Sequence, residues 1–253
     1  MIYGLYASAS GVRASSHRLD VISNNLANSE TTGFKRDLAI FQERRTAAAG
    51  DGLNPAQHSN PELEKLGGGM LVGQTSVDFS QGDLESTAKP LDFALQGRGF
   101  FAVRDGATTA LTRDGRFATS KDGYLVTATT GHRVLDTKGQ PILLKKDVPI
   151  TIGGDGSISQ GHDVMGKVGV FDVPDPRELT KSGQGLLQGP DLGRRLKAGD
   201  ATIVNGALEQ SNADPMRELA SLMDASRTLE ANANLIRYQD QTLSLLVNVG
   251  KIS

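Results

Sequence analysis

The residue types that most often do chemistry are present in this chain, but their spacing withholds the usual constellations. Four histidines, His17, His58, His132 and His162, lie far apart, with no i, i+4 pair of the kind that holds zinc, and read as isolated surface side chains. Serines abound, yet none sits in a Gly-x-Ser-x-Gly elbow. Asp114-Gly115-Arg116 and Asp122-Gly123 lack the alternating ligands and closing Glu of a calcium loop and read instead as hairpin turns. Gly153-Gly154-Asp155-Gly156 has no Lys-Ser/Thr after it and no helix behind it, so it reads as a strand-to-strand turn rather than a phosphate cradle. Paired carboxylates for glycosidase work stay open, since spacing along a chain says nothing about a gap across a cleft. Cysteine is absent, which removes disulfides, thiolate metal sites and Cys nucleophiles. No residue is assigned a catalytic, cofactor-binding or metal role.

The charge balance points the same way. Lys and Arg total 27 against 29 Asp and Glu, without a block of either sign, so no electrostatic footprint for nucleic acid exists. Arg44-Arg45, Lys145-Lys146 and Arg194-Arg195 read as solvated pairs. No run reaches the roughly 18 apolar residues of a membrane span, and Met1 to Gly11 has neither a basic leader nor an adequate apolar stretch. Any export is expected to use a route that reads no cleavable signal.

What the chain does offer is a pair of hydrophobic ladders with a seven-residue step. Leu5, Val12, Leu19 and Leu26 form one, and Leu222, Leu229, Ile236 and Leu243 the other. That step lays a continuous apolar stripe along a helix for another helix to meet. From Tyr3 to Asn28 no Pro intervenes, predicting a helix of about 26 residues, about 39 Å long. Ile22 adds to its stripe, but Ser8, Ser15 and Ser29 occupy other seam positions. So thin a seam buries little, and the terminal segments are expected to order only when packed against partners. Ser29 to Gly33 ends the helix, with Gly33 suited to φ > 0. Asp214-Pro215 opens the last helix as N-cap and first helical residue.

Between the ladders lie short β-prone runs, Phe100 to Val103, Gly123 to Val126, Pro141 to Leu144 and Val164 to Val173. Asp-Gly pairs at 105, 114, 122 and 155 punctuate them as hairpin turns. The expected fold class is therefore α+β. Long N- and C-terminal helices form a coiled-coil-like inner domain (residues 1–36 plus 205–253), and residues 37–75 are a linker or extended segment. Residues 76–204 make a central antiparallel β-rich domain.

Three segments together resemble the bacterial flagellar rod and hook family of axial proteins. The first runs from Ser23-Asn24-Asn25-Leu26-Ala27-Asn28 through Thr31-Thr32-Gly33-Phe34-Lys35. The second contains Gln81-Gly82-Asp83-Leu84, Pro90 to Phe101, and Thr112-Arg113-Asp114-Gly115-Arg116-Phe117. The third is Gly206-Ala207-Leu208-Glu209-Gln210-Ser211-Asn212, followed by Arg227 to Ala233. The resemblance implies a non-enzymatic structural subunit of the basal-body rod in the periplasm, without cofactor or small-molecule substrate. It implies export through the flagellar type III apparatus and self-association with neighbouring rod or hook proteins. On this reading Leu5, Val12, Leu19, Ile22, Leu26, Leu222, Leu229, Ile236 and Leu243 carry assembly. Asn24, Asn25 and Asn28 supply polar contacts between helices, Gly33 shapes the turn, and local capping is the alternative for Asn28. The competing class is a secreted β-domain enzyme or glycan binder whose terminal helices pair as an intramolecular stalk.

Overall fold

The computed structural model describes residues 2–43, 69–106, 108–145, 148–153, 156–189, 192, 197–198 and 201–250. Most of the expected 37–75 linker, with Arg44-Arg45 and His58, lies outside the described residues, as do Lys146, Asp155 and Arg194-Arg195. The chain forms two units. One comprises 1–27, 37–76 and 215–253, the other 28–36 and 77–214.

In the first unit α1 (Ile2–Ala27) packs against α2 (Pro215–Gly250). The pair is antiparallel: a Cβ on Gly4 would meet the Gln239 amide at 2.8 Å and one on Gly11 the Asn232 amide at 3.0 Å. These glycines let polar α2 side chains lie on the α1 backbone, and Ser8 and Ser15 of α1 and Ala225 of α2 are buried. The serine-interrupted seam of the sequence is thus a close-approach seam of small residues. Strands β1 (Asp37–Leu38), β2 (Phe41–Glu43) and β3 (Met70–Val72) follow, with β2 and β3 antiparallel and α1 lying against β1 and β3. Ala14 and Val21, seven apart, are buried as well. His17 is half-buried with its ring edge-on to Phe41 at 6.4 Å, not the isolated surface side chain its spacing suggested, because α1 has this second packed side. A short β4 (Ser76–Val77) ends the run.

The second unit is antiparallel β. Its strands are β5 (Leu84–Ser86), β6 (Phe93–Gln96), β7 (Phe100–Asp105), β8 (Thr108–Thr112), β9 (Phe117–Thr119), β10 (Leu125–Thr127), β11 (Arg133–Val134), β12 (Ile150–Ile152), β13 (Ser157–Gln160), β14 (Asp163–Lys167), β15 (Val170–Asp172), β16 (Thr180–Gly183), β17 (Leu186–Gln188), β18 (Lys197–Ala198), β19 (Thr202–Asn205) and β20 (Ala207–Glu209). The main sheet runs β16–β17–β8–β7–β11–β10–β9, with β15 also on β7; β12, β13 and β14 form a second, while β6 pairs with β19 and β5 with β20. Strand β7 is buried on both faces, following the two-residue strand period. Phe101 and Val103 join Phe93, Leu125 and Ile158 in one core, and Phe100 and Ala102 join Leu111, Leu135 and Leu187 in another.

The Asp-Gly pairs divide. Gly106 and Gly123 adopt φ of 57° and 85° in the β7–β8 and β9–β10 turns. Asp114-Gly115 is not a hairpin turn, since β8 and β9 are not partners. Gly115 instead lets the chain touch Phe93, whose carbonyl oxygen would lie 1.6 Å from an added Cβ. Pro141 to Leu144 forms isolated bridges to Leu135 and Tyr124 rather than a strand.

Candidate functional site

The ladder residues lie along the helix pair. Leu5, Val12, Leu19 and Leu26 on α1 are half-buried, as are Leu222, Leu229, Ile236 and Leu243 on α2, while Ile22 is buried. Elsewhere on α2, Met216, Met223, Tyr238 and Leu245 are between 53% and 75% exposed, interspersed with exposed Asp224, Arg227 and Gln241. Asn24 is exposed. Asn25 is buried and engaged by the backbone of β1: its Oδ1 accepts from the Asp37 amide at 2.8 Å and its Nδ2 donates to the Asp37 carbonyl at 2.9 Å. Asn28 makes a local turn, its carbonyl accepting from the Thr31 amide at 3.1 Å and its Oδ1 from the Thr31 hydroxyl at 3.3 Å.

Gly33 takes φ +68° in the second unit and donates its N–H to the Glu209 carbonyl at 2.7 Å. That bond leads into a buried ion cluster to which the sequence reading gave no role. The Glu209 side chain is wholly buried; its Oε1 accepts from Lys35 Nζ at 2.5 Å and from the Gly82 amide at 3.0 Å, and its Oε2 from Arg113 Nη1 at 2.9 Å. Lys35 also donates to the Ser80 carbonyl at 2.7 Å, and Arg113 to the Gly97 carbonyl at 2.7 Å. Burial pulls the Lys35 ammonium below its usual 10.5, with the Glu209 carboxylate acting against that pull. The arrangement sets two cations on one anion, each further tied to a backbone group, as a desolvated ion pair requires. Each charged residue comes from a different one of the three quoted sequence segments. The available signal was a lone acid in the apolar run Ala207-Leu208-Glu209.

Beside it, Asn212 closes the same exit. Its Oδ1 accepts from the Arg36 amide at 2.7 Å, and its Nδ2 donates to the carbonyls of Asp78 (2.9 Å) and Ser80 (3.1 Å). Arg36 Nε donates to Asp78 Oδ2 at 3.0 Å. Burial alone would raise the Asp78 carboxyl, but the Ser80 amide and the Arg36 guanidinium outweigh it and hold it below 3.8. A carboxyl depressed on folding contributes stability that is complete above its unfolded value and is lost as pH falls through the lower folded one. Asp78→Asn should therefore be less stable than the parent at about pH 6, and the gap in urea midpoint should close well below 3.8. A gap that persists unchanged into acid would show that the charge of Asp78 contributes nothing.

Elsewhere the reactive residue types are taken up by structure. The Asp114 carboxylate accepts from Arg116 Nε (3.0 Å) and Nη2 (2.9 Å) and from the Thr129 hydroxyl (3.0 Å). His132 lies between Asp105, 3.3 Å from Nε2, and the Thr130 hydroxyl, 2.5 Å from Nδ1.

A helix pair at the chain ends, a β unit between, and a polar knot built from all three motifs are the features set beside known proteins by sequence. Three family models match in that order: the flagella basal body rod protein model over residues 5–35, the flagellar hook protein FlgE/F/G D1 domain over 94–160, and the flagellar basal body rod FlgEFG protein C-terminal model over 204–249. The chain belongs to the flagellar rod and hook family, a family of structural proteins. It is 33% identical to the flagellar basal-body rod protein FlgF of Caulobacter vibrioides over 98% of both chains. It is 31% identical to the flagellar basal-body rod protein FlgG of Bacillus subtilis over 98% of this chain and 99% of that one. The flagellar hook protein FlgE of Treponema pallidum is 35% identical over 46% of this chain and 26% of its own length.

Proposed function

We propose that this chain is a structural subunit of the flagellar basal-body rod that polymerises through its terminal helices and transmits torque. The observation that carries the reading is the number of large apolar side chains that α2 leaves exposed. After α1 is seated, Met216, Leu219, Met223, Leu235, Tyr238 and Leu245 remain exposed, apolar surface that neighbouring subunits would cover. The half-buried ladder residues Leu5, Val12, Leu19, Leu26, Leu222, Leu229, Ile236 and Leu243, with Ile22, hold the helix pair together and offer their open flanks to neighbours. Asn24, Asn25, Asn28 and Gly33 shape the end of α1 for the same contacts. The short chain and the Val77-Asp78-Phe79-Ser80 approach to Gly82 favour a proximal position in the rod, a distal one being second. The partners are further copies, neighbouring rod or hook proteins and the type III export apparatus, and the place is the periplasmic rod.

Leu26→Asp puts a charge on the ladder outside the β unit. It should abolish co-purification with isolated basal bodies while the β unit keeps its folded near-ultraviolet signature; normal incorporation would sink the helical-wall reading. Because α1 and α2 meet within one chain, the competing intramolecular stalk has its own signature. Cooperative, fully helical melting of the purified monomer, together with absence from basal bodies, would favour it.

A further inference from the structure

Five donors converge on residues 209–212 from segments that precede them by about a hundred residues or more: the amides of Gly33, Arg36 and Gly82, the ammonium of Lys35 and the guanidinium of Arg113. Lys35 and Arg113 are themselves buried and share one carboxylate. Before Glu209 is in place, seating them would bury two like charges with no anion between them, and the Gly33 and Gly82 amides would lose their acceptors. Gly82 also lies against Gln210, whose carbonyl oxygen would be 2.1 Å from an added Cβ, so the 80–82 segment is shaped around the late strand. By contrast, β7 and β8 pair over Phe101 to Asp105 and Thr108 to Thr112 with no residue beyond 112.

We infer that Glu209 is a closure latch: the segment after α1, residues 33–36, and residues 80–82 can lock only when β20 arrives. In any chain delivered N-terminus first, the exit from α1 stays unlatched until residue 209 has been released. The β7–β8 hairpin needs no such wait. The latch is independent of the rod assignment, since it concerns the order of closure within one unit.

Pulse-labelled hydrogen exchange during refolding of the full chain tests it. The amides of Gly33, Arg36 and Gly82 should gain protection in the same phase as the Gln210 amide, which bonds the Asp83 carbonyl, and after those of β7 and β8. Protection of Gly33 and Gly82 ahead of Gln210 overturns the latch. In native full-length Glu209→Gln, exchange at Gly33 and Gly82 should rise at least about tenfold, with β7–β8 amides held within about twofold of the parent. Unchanged exchange at Gly33 and Gly82 overturns the proposal. Should Glu209→Gln not fold, Lys35→Met placed on top of it removes one of the two buried cations left without the carboxylate and should recover part of the lost stability and protection; a double variant as unfolded as the single one overturns the charge-lock.

Discussion

Glu209→Ala is expected to lower the unfolding free energy of the β unit by about 3–5 kcal/mol, the range for removing one partner of a buried ion pair. Most of that loss is not the missing attraction. It is the penalty of leaving Lys35 and Arg113 buried with side-chain exposures of 2% and 5% and no anion. Lys35 would keep its bond to the Ser80 carbonyl and Arg113 its bond to the Gly97 carbonyl, neither of which carries a compensating charge. Against a typical domain stability of about 5–15 kcal/mol the change is large. Urea unfolding followed by a probe in the β unit checks it. A shift under about 1 kcal/mol would mean that water enters the cluster and solvates the cations, so that the pairing contributes little.

Gly33→Ala is expected to cost about 2–5 kcal/mol, from two sources. A non-glycine residue at φ +68° sits in the left-handed region, worth about 1–2 kcal/mol. The new Cβ would also stand 2.5 Å from both the Arg113 carbonyl carbon and the Asp114 nitrogen, backbone atoms that cannot rotate away. Forcing such an overlap typically costs about 1–3 kcal/mol. Gly33→Asn separates the sources, because Asn tolerates the left-handed region but brings the same Cβ. If Asn is as damaging as Ala in thermal unfolding, the contact with Arg113 and Asp114 dominates; if Asn is close to the parent, the dihedral does.

Much of the framework is legible in the sequence. The seven-residue ladders marked both helices, and the absence of Pro from Tyr3 to Asn28 set the length of α1, observed over Ile2–Ala27. Asp214-Pro215 marked the start of α2, which begins at Pro215. Both are local properties of backbone and side chain, so a sequence displays them. The runs at Phe100 and Leu125 became β7 and β10 for the same reason. Asp114-Gly115 misled because a glycine needed for φ > 0 and one needed for close approach look alike in sequence. Only the contact with Phe93 tells them apart.

The ion cluster was illegible for a different reason. Lys35, Arg113 and Glu209 were each visible as a charge inside a motif, yet a charge on a half-polar chain is ordinary, and pairing across such separations leaves no periodic trace. The sequence alone carried the family in its three motifs, and it determined two terminal helices with a thin seam and an antiparallel β middle because periodicity and turn chemistry are written in neighbouring residues. Tertiary structure alone decided that Glu209 neutralises two buried cations and that Gly33 touches Arg113. Burial and distance between remote segments come into being only when the whole chain has packed.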